Sequence, residues 1–344
     1  MNSLSWGILG TGRIAGVFAK QLSQSRIGKL AAVGSRSQAG ADKFLAEFHA
    51  PRGYNTYDSL LADPQVQAVY IATPHPSHAE WCLKAAKAGK HILCEKPLTL
   101  NHTEASAVIN AARKHDVFLM EAFMYRCHPQ TAKLIELLQE KAIGEVRVIH
   151  ASFGFHRDFN PEVRLFKNAL GGGGILDVGC YPMSMSRLIA GIATGKSFAD
   201  PVEVKGCGHF APTGVDTWAT ATLKFPGDIL AVLATSVEVQ QHNTLRISGS
   251  DGNIFVPAPW AQIKDSTTTK LFVERKGEPQ QEIVVEITQP AYAIEADHVA
   301  GHIEQRQTPA MSWDDSLGNM RALDRWRKSI GLVYESEKAA GITL

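Results

Sequence analysis

The chain has no excess of charge of either sign: 35 Lys and Arg stand against 34 Asp and Glu, for a net charge of +1. Its basic residues form no extended run. Phosphate backbones and anionic bilayers require a concentrated positive surface, so neither nucleic acid nor membrane is expected as a partner. Long apolar runs are also missing. Stretches such as "AVYIA" fall far short of the roughly 20 residues that cross a bilayer. Cysteine is sparse: Cys82, Cys94, Cys127, Cys180 and Cys207 are five in number, scattered, and never in a C-x-x-C arrangement. That pattern argues against a disulfide framework and a zinc site, and for reduced, buried thiols. The opening "MNSLSWGILGTG" has no basic n-region and no secretory h-region with a cleavage site, so the cytoplasm is the expected location. Repeats and low-complexity tracts are absent.

What is present is an ordinary globular composition, 44% hydrophobic and 20% charged, in 344 residues. That length favours two domains around two cores. "LSWGILGTGRIAGVFAKQL" reads as a strand, a glycine turn and a helix with Ile14, Val17, Phe18 and Leu22 on one face. The turn Gly10-Thr11-Gly12-Arg13-Ile14-Ala15 is the G-x-G-x-x-A form of the dinucleotide fingerprint. Gly10 permits the tight turn, Gly12 admits a pyrophosphate close to the backbone, and Ala15 lets helix pack on strand. The N–H groups that open the helix would receive the phosphates.

A second strand, "KLAAVGSR", follows at the spacing of a βαβ unit. NAD sites usually place Asp or Glu at its end to hold the ribose 2′-hydroxyl. Here Ser35, Arg36 and Ser37 stand instead, with no acid before Asp42. Two hydroxyls and a guanidinium fork suit a 2′-phosphate, so the expected cofactor is NADP rather than NAD. The plainer reading of Arg36 is an exposed side chain in a polar loop.

Strand and helix alternate onward through "QAVYIATPHPSHAEWCLKAAKAG", "KHILCEKP", "NHTEASAVINAARKHD" and "VFLMEAFMYR". This is the rhythm of an α/β fold with a doubly wound parallel sheet, expected over residues 1–125. Ligands in such sheets lie beyond the carboxyl ends of the strands. "ATPHPSH", "CEKP" and "EAFMYRCHP" all begin at strand ends and should converge on one crevice. Thr73, Pro74, His75, His78, Glu95 and Lys96 thereby join the cofactor-binding candidates. Pro97 signals a tight turn, cis in many such settings, that fixes the direction of Lys96. The pair His75 and His78 in "HPSH" has no third ligand at a useful spacing, so no metal is expected.

Glu95-Lys96-Pro97 at this place resembles the family of glucose–fructose oxidoreductase, inositol dehydrogenase and MocA. A second block, "GGGGILDVGCYPMSMSRLIAG", strengthens the resemblance. The family typically carries Asp-x-x-x-His there. This chain has Asp177 and Tyr181, similar to the tyrosine branch that includes dimeric dihydrodiol dehydrogenase and NADP-linked D-xylose dehydrogenase. "LDRWRKSIGLVYESE" near the end is similar to that branch as well. The resemblance implies a catalytic Lys96, with Asp177 and Tyr181 beside it, His75 and His78 at the nicotinamide and substrate mouth, and a sugar, polyol or cyclic diol as substrate. His156, Arg157 and Phe159 in "FGFHRDFN" are further candidates for substrate contact.

Oxidising an alcohol removes a proton from oxygen as hydride leaves carbon. Tyrosine, with an ordinary pKa near ~10, becomes a base only when a cation stabilises its phenolate. Tyr181 is therefore read as general acid/base with Lys96 as its electrostatic partner, Asp177 orienting Lys96 or a substrate hydroxyl. The reverse, with Lys96 moving the proton, is chemically open. Two other readings stand beside the dehydrogenase: a redox sensor that binds the dinucleotide without turnover, and a glycoside-cleaving member with tightly bound NAD(P).

From residue 126 the pattern changes to an α+β domain, expected over 126–344. "GEVRVIHASFGF" opens a second sheet, and the runs from "EVKGCGHF" to "QEIVVEI" follow with short turns, as in a mostly antiparallel open sheet. In "TWATATLKF", Trp218, Thr220, Thr222 and Lys224 alternate with Ala219, Ala221, Leu223 and Phe225. The resemblance implies a homodimer or homotetramer formed through that open face. The closing helices "AYAIEADHVAGHIEQ" and "SWDDSLGNMRALDRWRKSIG" can return to the first domain.

Overall fold

Near-continuous apolar strands need cover on both faces, and the first sheet has it. In the computed structural model, which describes residues 3–260, 267–339 and 341, six strands build this sheet. They are β1 (Leu4–Leu9), β2 (Gly28–Gly34), β3 (Gly53–Tyr54), β4 (Ala68–Ile71), β5 (His91–Glu95) and β6 (Leu119–Ala122). All pairings are parallel and the order is β3-β2-β1-β4-β5-β6. Helices α1 (Arg13–Leu22), α2 (Gln38–Phe48), α3 (Tyr57–Leu61), α4 (His78–Lys87) and α5 (His102–Lys114) supply the crossovers. The strand order reverses between β1 and β4, which opens a crevice at their carboxyl ends.

Two details differ from the sequence reading. A two-residue strand, β3, adds an edge beyond β2. The run "VFLMEAFMYR" pairs only over β6, because its neighbour β5 ends at Glu95 opposite Ala122. The chain then turns into a 3-10 segment at Met124–Cys127.

The second sheet follows α6 (Pro129–Gln139). It holds β7 (Val146–Gly154), β8 (Glu203–Phe210), β9 (Asp216–Phe225) and β10 (Ile229–Ser236), with β11 (Leu245–Gly249), β12 (Gly252–Val256), β13 (Thr268–Arg275) and β14 (Gln281–Glu286). Its order is β14-β13-β12-β11-β7-β10-β9-β8. β7 and β10 are parallel and every other pair antiparallel. The period-2 reading of β9 holds: Ala219, Ala221, Leu223 and Phe225 are buried while Trp218, Thr220 and Thr222 are exposed. The inner face packs on α6 and on α7 (Cys180–Ala193). The outer face leaves Trp218, Leu230, Val232 and Val284 exposed.

Two long helices then tie the sheets together. From α8 (Ala291–His302), Tyr292 joins an aromatic cluster in the first domain, where Phe18 and Tyr70 stack at 3.9 Å and Tyr292 stands edge-on to Phe18 at 6.0 Å. From α9 (Trp313–Ile330), the Trp313 indole donates to the Leu119 carbonyl at 3.0 Å. Buried Asp315 pairs with both Arg126 and Arg187. Opposed charges with almost no water access must be paired, so this junction is fixed in register.

Candidate active site

The crevice begins where β1 ends. Gly10 has φ +114°, and a Cβ there would stand 2.9 Å from the Ala72 carbonyl oxygen, so only glycine fits. Gly12 starts α1 with extended backbone and no side-chain cap. A Cβ on Gly12 would meet nothing within 4 Å, so the space over the helix N-terminus is open. No acidic side chain occupies the first turn of α1. Free N–H groups, an open approach and no competing carboxylate together fit a dinucleotide pyrophosphate.

At the end of β2, Thr11 and Ser35 hydroxyls lie 3.3 Å apart, joining the glycine turn to the second strand. The Ser37 hydroxyl accepts from the Gly40 N–H at 3.2 Å and caps α2. Its own proton remains free to donate. Arg36 is exposed beside them, and no acid pairs with it among the described residues.

One cleft of about 1540 Å³ runs from this end to the second sheet. Its walls bring together Gly10, Thr11, Gly12, Arg13, Ile14, Ser35, Arg36, Ser37, Thr73, Pro74, His75, His78, Glu95, Lys96, Arg157, Asp177 and Tyr181. His156 and Phe159 do not line it. Phe153, Phe155 and Arg157 line the cleft, and His156 between the last two does not. The His156 ring bonds to the Glu238 carbonyl at 2.7 Å and to Asp158 at 3.1 Å. Phe159 packs on Phe166 with ring centroids 5.2 Å apart.

Lys96 stands at the end of β5, before a cis bond to Pro97. Its Nζ donates to the main-chain carbonyl of Asp177 at 2.6 Å and lies 5.1 Å from the Tyr181 ring centroid. Asp177 belongs to a π-helical turn, Ile175–Gly179, that precedes α7 and was not expected from the glycine-rich sequence. Its carboxylate accepts from Arg164 at 2.7 Å. Asp177 thus touches Lys96 through its backbone carbonyl, and its carboxylate is turned to Arg164 instead. Burial works to raise the Asp177 pKa, but Lys96, Arg164 and Arg13 outweigh it and hold the group ionised below its ordinary value.

Tyr181 is buried in a box of rings. Phe123 and Phe153 stand at 5.2 Å, Tyr125 and Trp260 at 5.8 Å. Its hydroxyl reaches Met124 Sδ at 3.6 Å. Burial, then Tyr292, Glu95 and Cys180, push its pKa well above the ordinary tyrosine value. That shift holds the phenol neutral, although the ammonium of Lys96 lies over its ring. Glu95 is buried beneath the lysine, accepting from the Tyr70 hydroxyl and, at 3.2 Å, from the Lys96 backbone N–H. Burial raises its pKa against the pull of Lys96.

The two histidines have different partners. His75 Nδ1 meets the Gly171 carbonyl at 3.2 Å. The His78 ring bridges two active-site loops, with Nδ1 3.0 Å from the Pro97 carbonyl and Nε2 2.8 Å from that of Thr73. Burial lowers His78 to about 4 despite these two contacts, and Arg164 and Lys96 add to the effect. A neutral ring gives its single N–H to one carbonyl at a time. Among the described residues no cluster of three His, Cys, Asp or Glu is placed to hold a metal ion, and no helix is long and apolar enough to cross a membrane.

Arg164, Met124, Phe153, Phe155 and Tyr292 escaped the sequence reading. Phe153 and Phe155 carried a usable signal, the alternation of β7. Arg164 and Tyr292 reach the cleft, and Met124 the Tyr181 hydroxyl, only through tertiary packing.

The model of the oxidoreductase family with an NAD-binding Rossmann fold, GFO/IDH/MocA, matches residues 4–123, and that of the GFO/IDH/MocA C-terminal domain matches 131–255. The trans-1,2-dihydrobenzene-1,2-diol dehydrogenase of Mus musculus is 32% identical over 98% of this chain and 99% of its own length. The NADP(+)-dependent D-xylose 1-dehydrogenase 2 of Haloferax volcanii is 32% identical over 99% of this chain and 100% of its own. Among solved structures, the 3-ketoreductase KijD10 of Actinomadura kijaniata, in complex with TDP-benzene and NADP, has a TM-score of 0.83 at 27% identity. That match covers 96% of this chain and 98% of KijD10.

Proposed function

The chain belongs to the GFO/IDH/MocA oxidoreductase family, and on that premise we propose that it is an NADP(H)-dependent enzyme exchanging CH–OH and C=O on a sugar, polyol or cyclic diol. The observation that carries the reading is the meeting of Lys96, Asp177 and Tyr181 in the same cleft as the open N-terminus of α1. The Haloferax relative named for NADP(+), and the KijD10 structure with NADP, support that cofactor beside the acid-free Ser35-Arg36-Ser37 turn.

When bound, the nicotinamide supplies the hydride donor or acceptor. Gly10, Gly12 and the first turn of α1 would hold the pyrophosphate, and Arg36 the 2′-phosphate. Lys96 spends one N–H on the Asp177 carbonyl, leaving two for the reacting oxygen. Its positive charge stabilises the alkoxide character that develops there. Tyr181, kept neutral by burial, would turn its one O–H from the weak Met124 contact to the same oxygen. We accordingly assign proton transfer to Lys96 and neutral hydrogen bonding to Tyr181, the reverse of the tyrosine-base order that residue type alone favours. Arg164 absorbs the Asp177 charge and fixes the turn whose carbonyl anchors the lysine.

A second copy of the chain covers the open face of the second sheet, giving a homodimer or homotetramer. Exposed Trp218, Leu230 and Val232 support this, since monomers seldom leave such strips bare. Trp218→Asp should reduce the mass seen by sedimentation; an unchanged mass, whether oligomeric or monomeric, contradicts it. The function itself is tested by following NADPH absorbance with a panel of sugar, polyol and diol pairs in both directions. Sustained conversion supports the enzyme; tight NADPH binding with no conversion of any pair supports a sensor instead.

A further inference from the structure

The substrate end of the cleft has an unbalanced charge. Arg164 is matched by Asp177, and Lys96 is anchored on the Asp177 carbonyl. Arg13 and Arg36 belong to the dinucleotide end. Arg157 remains: exposed, part of the lining, and without an acid or hydrogen-bond acceptor among the described residues. It continues a row with Phe153 and Phe155, set two residues apart along the exit of β7. Phe153 touches Tyr181, with ring centroids 5.2 Å apart, so the row starts at the reacting centre. Arg157 lies four residues along the chain from Phe153, so its head would meet a substituent of the substrate rather than its reacting carbon.

A guanidinium only donates, and its planar fork matches two oxygens of an anion. The two phenyl rings beside it offer an apolar wall to the face of a ring. We propose that the substrate carries an anionic substituent, a carboxylate or a phosphoryl group, received by Arg157 while its ring lies along Phe153 and Phe155. This rests on the oxidoreductase reading above and narrows its substrate class.

The test uses matched pairs, an aldose against its uronate and an aldose against its phosphate, with wild type, Arg157→Gln and Arg157→Lys. For at least one pair the wild type should prefer the anion by about tenfold or more in kcat/KM, mostly through KM, and less at high salt. Arg157→Gln should remove the preference while leaving turnover of the neutral member within about twofold, and Arg157→Lys should restore part of it. The pair that responds tells carboxylate from phosphate. Equal use of neutral and anionic members, or an equal loss for both in Arg157→Gln, overturns the inference but leaves the dehydrogenase intact. If nothing is turned over, calorimetric binding of the uronate and the sugar phosphate to the NADPH-loaded protein decides the point. Binding lost in Arg157→Gln sustains the anion site, and binding unaffected by the substitution, or no binding, refutes it.

Discussion

Replacing Arg36 by alanine should turn a chain that discriminates between two dinucleotides into one that hardly does. The end of β2 offers no carboxylate to the ribose of NADH, and Ser35 is already engaged with Thr11. The 2′-phosphate of NADPH would meet Arg36 and the free proton of Ser37, whose oxygen is committed to capping α2. A hydrogen bond to a charged partner contributes about 1.5–3 kcal/mol. Arg36 is exposed, and solvent screening places it in the lower half of that range, about 1.5–2 kcal/mol. The dissociation constant for NADPH should then rise about 10- to 30-fold, and that for NADH less than about twofold. Fluorescence titration with each dinucleotide, at low and at high salt, measures both. The wild-type preference should shrink with added salt and the alanine variant should show little left to lose. Equal weakening of both cofactors, or none, refutes the phosphate assignment.

Two further predictions concern the supports of the site. His78→Ala strips the Thr73 and Pro97 carbonyls of their shared donor. It should cost about 1–3 kcal/mol of stability in denaturant unfolding and lower kcat, with NADPH affinity changed only a few-fold; an unaltered kcat would show that the bridge does not position Lys96. Asp216 is buried, accepts from the Ile175 N–H at 2.7 Å, and has its pKa raised by burial to about 7. A raised acid stabilises the fold below its unfolded pKa, and that contribution is lost as pH climbs through the folded value. Thermal melts should therefore show Asp216→Asn gaining on the wild type from pH ~5 to pH ~8; a constant difference would remove the assignment.

The parallel sheet was legible because each βα unit writes its strand, turn and helix contiguously. Gly10, Gly12, Lys96 and Asp177 sit in short blocks whose chemistry needs those neighbours. Continuing the alternation of β7 past its end would have joined Phe153 and Phe155 to Arg157 and excluded His156, but it would also have kept Phe159, which packs on Phe166 instead. Other features depend on groups far apart in the chain. Nothing near Asp177 says that Arg164 takes its carboxylate and leaves the backbone carbonyl to Lys96. Nor does a tyrosine one turn along a helix reveal a ring box drawn from Phe123, Tyr125, Phe153 and Trp260. Burial in that box raises the Tyr181 pKa, which residue type alone does not reveal.

Turnover of Lys96→Met beside Tyr181→Phe, each at saturating NADPH, tests the assignment of proton transfer to Lys96 directly. An ammonium that carries the proton and stabilises developing charge accounts for about 10²- to 10⁴-fold in kcat. A neutral hydroxyl contributes one ordinary hydrogen bond, about tenfold at most. Lys96→Met should show the larger loss of turnover. A larger loss in Tyr181→Phe, or near-normal turnover in Lys96→Met, would contradict that assignment.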